Sequence, residues 1–212
     1  MVVSCGATHL GFPFRLAHHR EDITPDEAAA VISSLPPSCH AVLITYLDSA
    51  TKIAALARFL AVTIVQLHGP VNALELAKLR RDHPDLVLWK SLIVRGDNME
   101  TLIEEITVFS GLVDAFITDT YDRLTGAVGA TGLCHDWNIS RRLVDLSRRP
   151  VILAGGLTPW NVGDAITLVR PAGVDVHTGV EDRMGRKTLS RVCSFVRNAH
   201  DAFNRVEKGG TV

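Results

Sequence analysis

Residues suited to acid–base chemistry come directly after short apolar runs in this sequence. Asp119 ends the run that begins Ala115-Phe116-Ile117-Thr118. A carboxyl group at the mouth of a buried strand can act as a general acid when partial burial raises its pKa. The same carboxylate could instead brace the glycine-rich sequence that follows it. Position alone leaves both roles open.

Two glycine turns follow later apolar runs and are suited to holding a phosphate group. Gly155-Gly156 follow Val151–Ala154, and Thr178-Gly179 follow Gly173–Val176 and His177. Glycine allows backbone amides to approach a phosphate closely, and a helix N-terminus adds favourable partial charge. These glycines could also serve only to make tight turns. The sequence contains no G-x-G-x-x-G and no G-x-x-x-x-G-K-[ST] motif, so dinucleotide and nucleoside triphosphate sites lose support.

Two histidines occupy comparable positions. His68 follows Val65-Gln66-Leu67, and His177 precedes Thr178. Either could act as an acid–base group or, together with Asp119, as a metal ligand. Because neither an HxH nor an HExxH spacing is present, we predict that there is no metal site.

The elements that must position these residues alternate along the chain. Short, continuously apolar runs are typical of strands covered on both faces, and amphipathic segments follow them. The predicted strands are Leu10–Phe14, Ala41–Tyr46, Ile64–Leu67, Leu86–Ser91, Ala115–Thr120, Val151–Ala154 and Gly173–Val176. Helices are predicted at Val71–Arg81, Asn98–Phe109, Asn138–Ser147 and Leu189–Arg205.

Three further helices are predicted from their start signals. Thr24-Pro25-Asp26-Glu27 offers an N-cap, a proline at the first helical position and a capping-box glutamate. Asp48 or Ser49 could cap the next helix. Thr158-Pro159 repeats the cap-then-proline arrangement.

Seven successive β–α units imply an α/β fold with a parallel sheet. An open doubly wound sheet and a (β/α)₈ barrel of TIM type both fit, and in either one the ligand site lies beyond the carboxyl ends of the strands. We predict one barrel domain over residues 1–206 and a flexible tail over residues 207–212.

Composition restricts the partners. The 212 residues carry a formal net charge of −1, which argues against binding to nucleic acid but leaves room for a small anionic ligand. No uncharged apolar stretch reaches the roughly 18 residues of a membrane span. The four cysteines are widely spaced and no secretory signal is legible, so we expect free thiols in a reducing cytoplasm.

An ordered set of motifs resembles the phosphoribosylanthranilate isomerase family over about residues 6 to 200. The motifs are Val65-Gln66-Leu67-His68-Gly69, Gly129-Ala130-Thr131-Gly132 with Asp136-Trp137, Leu153-Ala154-Gly155-Gly156-Leu157 with Pro159 and Asn161-Val162, and Gly173-Val174-Asp175-Val176 with Gly179-Val180-Glu181 and Gly185-Arg186-Lys187. The family is a (β/α)₈ barrel that performs a cofactor-free Amadori rearrangement of N-(5-phosphoribosyl)anthranilate in tryptophan biosynthesis.

The resemblance implies a role for particular residues. Asp119 matches the general acid that opens the furanose ring, and Gly155, Gly156, Thr178 and Gly179 match the phosphate site. The substrate-binding residues implied are Arg20, Gln66, His68, Gly129 and Asp175. It also implies a small phosphorylated substrate, no nucleic-acid or membrane partner, and a monomer or homodimer.

Cys5 has two interpretations. Cys5-Gly6-Ala7-Thr8 matches the family's first strand, whose cysteine is the general base, but Gly6–Phe12 matches the second strand better. Too few residues precede Leu10 for a strand and a crossover helix, so we favour the second match. The family's first strand and helix, with the cysteine base, would then be missing from this chain. The open sheet edge that results would favour low stability or self-association.

Two other functions stay open at this point. One is a barrel that binds a phosphorylated ligand without catalysis. The other is a different barrel enzyme that acts on a phosphorylated ligand, in a version with a metal at His68 and His177.

Overall fold

Seven strands form one sheet in the computed structural model, which describes residues 1–16, 21–121 and 135–209. The sheet order follows the chain order, and the pairings β1–β2, β2–β3, β3–β4, β5–β6 and β6–β7 are parallel. A doubly wound sheet would reverse its order at a switch point, so the (β/α)₈ type is confirmed, with seven units. The strands are β1 (His9–Phe14), β2 (His40–Thr45), β3 (Ile64–Leu67), β4 (Val87–Val94), β5 (Ala115–Thr120), β6 (Val151–Leu153) and β7 (Gly173–Val174).

Helices alternate with these strands. They are α1 (Pro25–Ser33), α2 (Ala50–Phe59), α3 (Ala73–Asp82), α4 (Met99–Phe109), α5 (Trp137–Leu146), α6 (Val162–Val169) and α7 (Leu189–Gly209). α7 continues past residue 207, where the sequence predicted the start of a tail. None of the helices in the described ranges is both long and apolar enough to cross a membrane.

The three start signals had three different outcomes. Ser49 is the N-cap residue of α2, but its side chain makes no cap hydrogen bond. At α1 the Thr24 hydroxyl accepts from the Glu27 amide, and the Glu27 carboxylate accepts from the Thr24 amide at 2.8 Å, which is a capping box. Thr158-Pro159 does not begin α6, because Asn161 is the N-cap. The Thr158 hydroxyl instead accepts from the amides of Trp160 and Asn161, which makes a turn before the helix.

The described residues group into two compact units. The first unit comprises residues 8–91 and 108–115, and the second comprises residues 1–7, 92–107 and 116–212. Fully buried side chains in the first unit include Leu43, Ile53, Leu76 and Leu88. The core of the second unit joins Leu153, Ile166, Phe195 and Ala202.

Arg80 anchors α3 in the first unit. Its guanidinium donates to the carbonyl oxygens of Leu86 and Leu112 and lies 2.6 Å from the Asp114 carboxylate. The same carboxylate oxygen accepts from the Leu88 amide at 2.7 Å. Arg80 thus links α3 to the residue that precedes β4 and to the segment that leads into β5.

The expectation of free thiols was wrong for two cysteines. Cys5 and Cys193 form a disulfide in the second unit, with their Cα atoms 4.7 Å apart. The segment before β1 packs on α7, which brings together residues 188 positions apart in the chain. Spacing could not reveal this pairing, because no local motif connects the two residues. Cys39 is a buried free thiol, and Cys134 lies outside the described ranges.

Candidate functional site

Asp119 lies near the carboxyl end of β5 and is the clearest acid–base group in the second unit. Its carboxylate accepts a hydrogen bond from the Thr120 amide at 2.8 Å. Burial raises the pKa of Asp119 to about 7, and the negative charge of Asp175 acts in the same direction, while the Thr120 amide opposes both. A carboxyl group with this pKa is largely protonated just below neutral pH and can donate a proton.

Asp175 follows β7 and lies close enough to Asp119 to influence its ionisation. Burial raises the pKa of Asp175, whereas the positive charges of His177 and Lys187 lower it. The structure therefore brings together two of the predicted residues, Asp119 and Asp175, as a pair of carboxyl groups. Such pairs resist simultaneous ionisation, which favours a proton on one member near neutral pH.

The two glycine turns also lie together in the second unit. Gly155 and Gly156 both have positive φ angles, 100° and 65°, which side chains other than glycine rarely adopt. A Cβ on Gly179 would overlap the carbonyl oxygen of Leu157, so the backbone of the second turn packs directly on the first. Glycine at these positions is thus required both by conformation and by close approach.

Thr118 sets the position of the Gly155 turn. Its side chain is fully buried, and its hydroxyl donates to the Ala154 carbonyl and accepts from the Ala154 amide at 3.1 and 3.0 Å. The backbone ladder between β5 and β6 covers Phe116–Val151 and Ile117–Ile152. The hydroxyl extends that ladder by one step, up to the residue before Gly155.

His135 lies against the same turn. Its Nδ1 is 3.1 Å from the position that a Cβ on Gly155 would occupy, and its Nε2 is 2.5 Å from the hydroxyl of the buried Ser140. Burial lowers the pKa of His135 to about 4, so its ring is neutral at physiological pH. Among described residues its Nδ1 has no hydrogen-bond partner.

His177 is the exposed neighbour of the second turn. Its side chain is 57% exposed, and its Nδ1 lies 3.4 Å from the Glu181 carboxylate, which also binds Lys187. Across the described parts of the chain, no group of three His, Cys, Asp or Glu side chains is arranged to hold a metal ion.

Gln66 and His68 belong to a buried polar cluster in the first unit. Gln66 donates from Nε2 to the Ser91 hydroxyl at 3.1 Å, and Nδ1 of His68 lies 2.9 Å from the same oxygen. Tyr46 packs edge-on against the His68 ring, with the centroids 4.8 Å apart. The structure therefore brings Gln66 and His68 together on a serine that sequence reasoning had not selected.

Gly69 holds this cluster over the end of β2. A Cβ at Gly69 would lie 2.5 Å from the Tyr46 carbonyl oxygen, so only glycine allows the approach. The amides of His68 and Gly69 both donate to the Thr45 carbonyl oxygen. These bonds fix the end of β3 against β2. They also fix the backbone from which the His68 side chain projects.

Three of the predicted residues are not placed at these groups. Arg20 and Gly129 lie outside the described residues. Cys5 lies before the amino end of β1, in a 3-10 turn, and its sulfur is in the disulfide with Cys193. It has no thiolate to act as a base, so the catalytic interpretation of Cys5 is overturned and the match to a second strand is retained.

Comparison with known proteins points to one family. A family model described as N-(5′-phosphoribosyl)anthranilate (PRA) isomerase matches residues 2–198. N-(5′-phosphoribosyl)anthranilate isomerase 2 of Methanosarcina mazei is 41% identical over 207 residues, which are 97% of this chain and 90% of that protein. The Trichlorobacter lovleyi isomerase is 35% identical over 201 residues, covering 95% of this chain and 91% of its own length.

Solved structures agree with this match. The phosphoribosylanthranilate isomerase of Thermotoga maritima superposes with a TM-score of 0.78 at 29% identity, covering 94% of this chain and 91% of its own. A phosphoribosylanthranilate isomerase in complex with reduced 1-(o-carboxyphenylamino)-1-deoxyribulose 5-phosphate gives 0.76 at 28% identity, with the same coverage. The chain belongs to the N-(5′-phosphoribosyl)anthranilate isomerase family.

Proposed function

We propose that this protein converts N-(5-phosphoribosyl)anthranilate into 1-(2-carboxyphenylamino)-1-deoxyribulose 5-phosphate, as a step of tryptophan biosynthesis. The observation that carries the proposal is the desolvated carboxyl of Asp119, with a pKa of about 7, at the carboxyl end of β5 in a member of this family. An acid at this position is what the first step of the reaction requires.

Asp119 is the general acid of the proposed mechanism. Its proton goes to the furanose ring oxygen, the bond from that oxygen to C1 breaks, and the anthranilate nitrogen lone pair forms a C1=N bond. Loss of the C2 proton to a base then gives an enolamine, which tautomerises to the ketone. General acid catalysis of this kind contributes about 10²- to 10⁴-fold to the rate.

The two glycine turns are proposed to hold the substrate phosphate. The turns at Gly155-Gly156 and Thr178-Gly179 are in direct contact through Gly179 and Leu157, and glycine leaves their backbone amides accessible. An anchored phosphate lets binding energy orient the distant C1–C2 end of the substrate.

Resemblance alone supports the proposal that Gln66, His68, Asp175, Arg20 and Gly129 bind the substrate. The proposal assigns no residue as the base. The disulfide at Cys5 removes the thiol that resemblance offered for that role.

Turnover of the phosphoribosylated substrate, followed by chromatography, tests the proposal. We expect isomerisation, and we expect Asp119→Asn to lower kcat about 10²- to 10⁴-fold with little change in KM. Asp145→Asn is the matched control, because Asp145 is an exposed residue of α5 that pairs with Arg141. Absence of turnover by the wild-type protein, or an equal loss in both variants, would contradict the assignment.

A second function is favoured by the disulfide-bonded Cys5. Without that thiol, the same turns could bind a phosphorylated ligand without catalysis. Calorimetry with the reduced product analogue measures binding, and the turnover assay with the phosphoribosylated substrate measures catalysis. Analogue binding together with substrate turnover supports the isomerase. Analogue binding without substrate turnover supports the non-catalytic alternative.

We also propose a cytoplasmic location and a monomer or homodimer. The location can no longer be argued from free thiols, because Cys5 and Cys193 are bonded, and it rests on the biosynthetic role proposed here. The balanced charge supports a small anionic substrate over nucleic acid or membrane partners. β1 pairs only with β2 among the described strands and carries Pro13, as edge strands tolerate. Sedimentation at several concentrations distinguishes a monomer or dimer from larger species.

A further inference from the structure

We propose that Ser91 is a positioning residue that fixes the ring tautomer of His68 and the amide orientation of Gln66. The inference concerns geometry within the first unit. Its consequence for activity rests on the proposed function, which assigns His68 and Gln66 to substrate binding.

The three side chains meet at the Ser91 hydroxyl. The Ser91 side chain is fully buried, while Gln66 and His68 are 7% and 8% exposed. The Ser91 oxygen lies 3.1 Å from Gln66 Nε2 and 2.9 Å from His68 Nδ1. Bulk water has little access to these atoms, so each must satisfy its hydrogen-bonding capacity within the protein.

Counting protons determines the direction of each bond. A serine hydroxyl has one proton to donate and two lone pairs that accept. Gln66 Nε2 can only donate, so it occupies one lone pair of Ser91. Among the described residues, His68 Nδ1 is the one acceptor within hydrogen-bond distance of the Ser91 hydroxyl, so the Ser91 proton goes there. A neutral His68 that accepts at Nδ1 must carry its own proton on Nε2.

Two neighbours keep the His68 ring in this orientation. The Tyr46 ring meets it edge-on at an interplanar angle of 66°. The His68 amide donates to Thr45, and Gly69 contacts the Tyr46 backbone, so the main chain on either side of the ring is fixed. A ring flip would require His68 to lose the Ser91 bond and displace Tyr46.

The functional consequence is that His68 presents an N–H donor rather than a lone pair at Nε2. The substrate carries acceptors of the matching kind, namely the anthranilate carboxylate and the sugar oxygens. A mixture of tautomers would present the donor in only part of the molecules, which lowers apparent affinity in proportion.

Nitrogen NMR of ¹⁵N-histidine-labelled protein tests the tautomer directly. In the wild-type protein we expect His68 to show a protonated Nε2 and an unprotonated Nδ1. In Ser91→Ala we expect a mixture of tautomers, and a rise in KM of roughly tenfold, as for the loss of one buried hydrogen bond. Ser91→Thr keeps the hydroxyl and should restore the wild-type nitrogen shifts.

Ser140→Ala is the matched control. Ser140 is also fully buried and contacts a different histidine, His135, so this variant should change the His135 nitrogen shifts and leave those of His68 unchanged. If Ser91→Thr fails to fold, the comparison of Ser91→Ala with Ser140→Ala carries the test.

A wild-type His68 protonated on Nδ1, or an unchanged tautomer in Ser91→Ala, would overturn the proposal. Because the NMR measurement needs no turnover, its result is independent of the proposed function. A protein with the expected tautomer but without isomerase activity would refute the isomerase assignment and leave the role of Ser91 intact.

Discussion

At the scale of single residues, desolvation turns Asp119 into an acid suited to neutral pH. The same desolvation costs stability, because the ionised carboxylate of Asp119 is less well hydrated in the folded state than in the unfolded chain. The position of Asp119 at the end of a buried apolar run made it a candidate acid, but the choice between that role and a bracing role came from resemblance. Its partner Asp175 entered only through resemblance, because their interaction joins two strands far apart in the sequence.

The rate of the acid-dependent step should follow the protonation of Asp119. We expect kcat/KM to fall as the pH rises through about 7, because the proton donor is then lost. A pH–rate profile with substrate well below KM measures this. A descending limb displaced to about pH 4, the ordinary carboxyl range, would contradict it.

Stability should respond to the same group. The folded-state pKa of about 7 exceeds the ordinary value of 3.8, so the folded state binds more protons between those values. The contribution of Asp119 to the free energy of unfolding is therefore lost as the pH rises from about 4 to about 7. Asp119→Asn removes this titration, so the melting temperature of the variant minus that of the wild type should increase across this range. A difference independent of pH would contradict the raised pKa.

Gly179 offers a test of the contact between the turns. Gly179→Ala places a methyl group on the Leu157 carbonyl oxygen, so the second turn must move. We expect a rise in KM of tenfold or more and a lower melting temperature, in line with about 1–3 kcal/mol for steric overpacking.

The control for that variant is Gly163→Ala in α6. A Cβ there would find only the tip of Arg205 within 4 Å, at 3.8 Å. Alanine is favoured over glycine in a helix, so this variant should match the wild-type KM with unchanged or slightly higher stability. Equal effects of the two substitutions would show that Gly179 has no special role.

Element boundaries follow local rules where the relevant groups are neighbours in sequence. The capping box of α1 and the limits of β3 and β5 were predicted because all participating residues are contiguous. Thr158-Pro159 misled the prediction because the Thr158 hydroxyl accepts from the amides of Trp160 and Asn161 in a separate turn, and α6 begins only after Asn161. Ser91 and Thr118 escaped notice because small hydroxyls in apolar runs resemble ordinary packing residues until their partners across the sheet are known.

Arg80 is predicted to be the main polar anchor of α3. Arg80→Met removes the bonds to Leu86, Leu112 and Asp114 and leaves partly buried acceptors without their partner. We expect a loss of about 2 kcal/mol in the free energy of unfolding, measured by urea titration.

Arg81→Met is the control, since Arg81 is exposed and bonds only to the adjacent Asp82 in the described structure. Its effect should stay within about 0.5 kcal/mol. If the two variants lose the same stability, the anchoring role of Arg80 is wrong.

At the scale of the whole molecule, the ordered motifs were enough to predict the barrel type, through the family that they resemble. They could not predict the bridge between Cys5 and Cys193, because it depends on where α7 packs. A crosslink over 188 positions restricts the unfolded chain strongly, by roughly 5 kcal/mol in the chain-entropy account.

Reduction should therefore weaken the fold. We expect a reductant to lower the free energy of unfolding by about 3–5 kcal/mol in the wild-type protein. Cys193→Ser should show the lower value with or without reductant. Equal stability of the oxidised and reduced wild-type protein would show that the bridge does not contribute.

The bridge also makes the chain from Cys5 to Cys193 a covalent ring. A protease that cuts once inside this ring opens it without releasing a fragment, so the nicked protein should migrate as one band until a thiol is added. The bridge keeps the two fragments joined on an unreduced gel, and a reduced gel separates them. The sizes of the separated fragments would show which backbone segments between the two cysteines are most accessible to the protease.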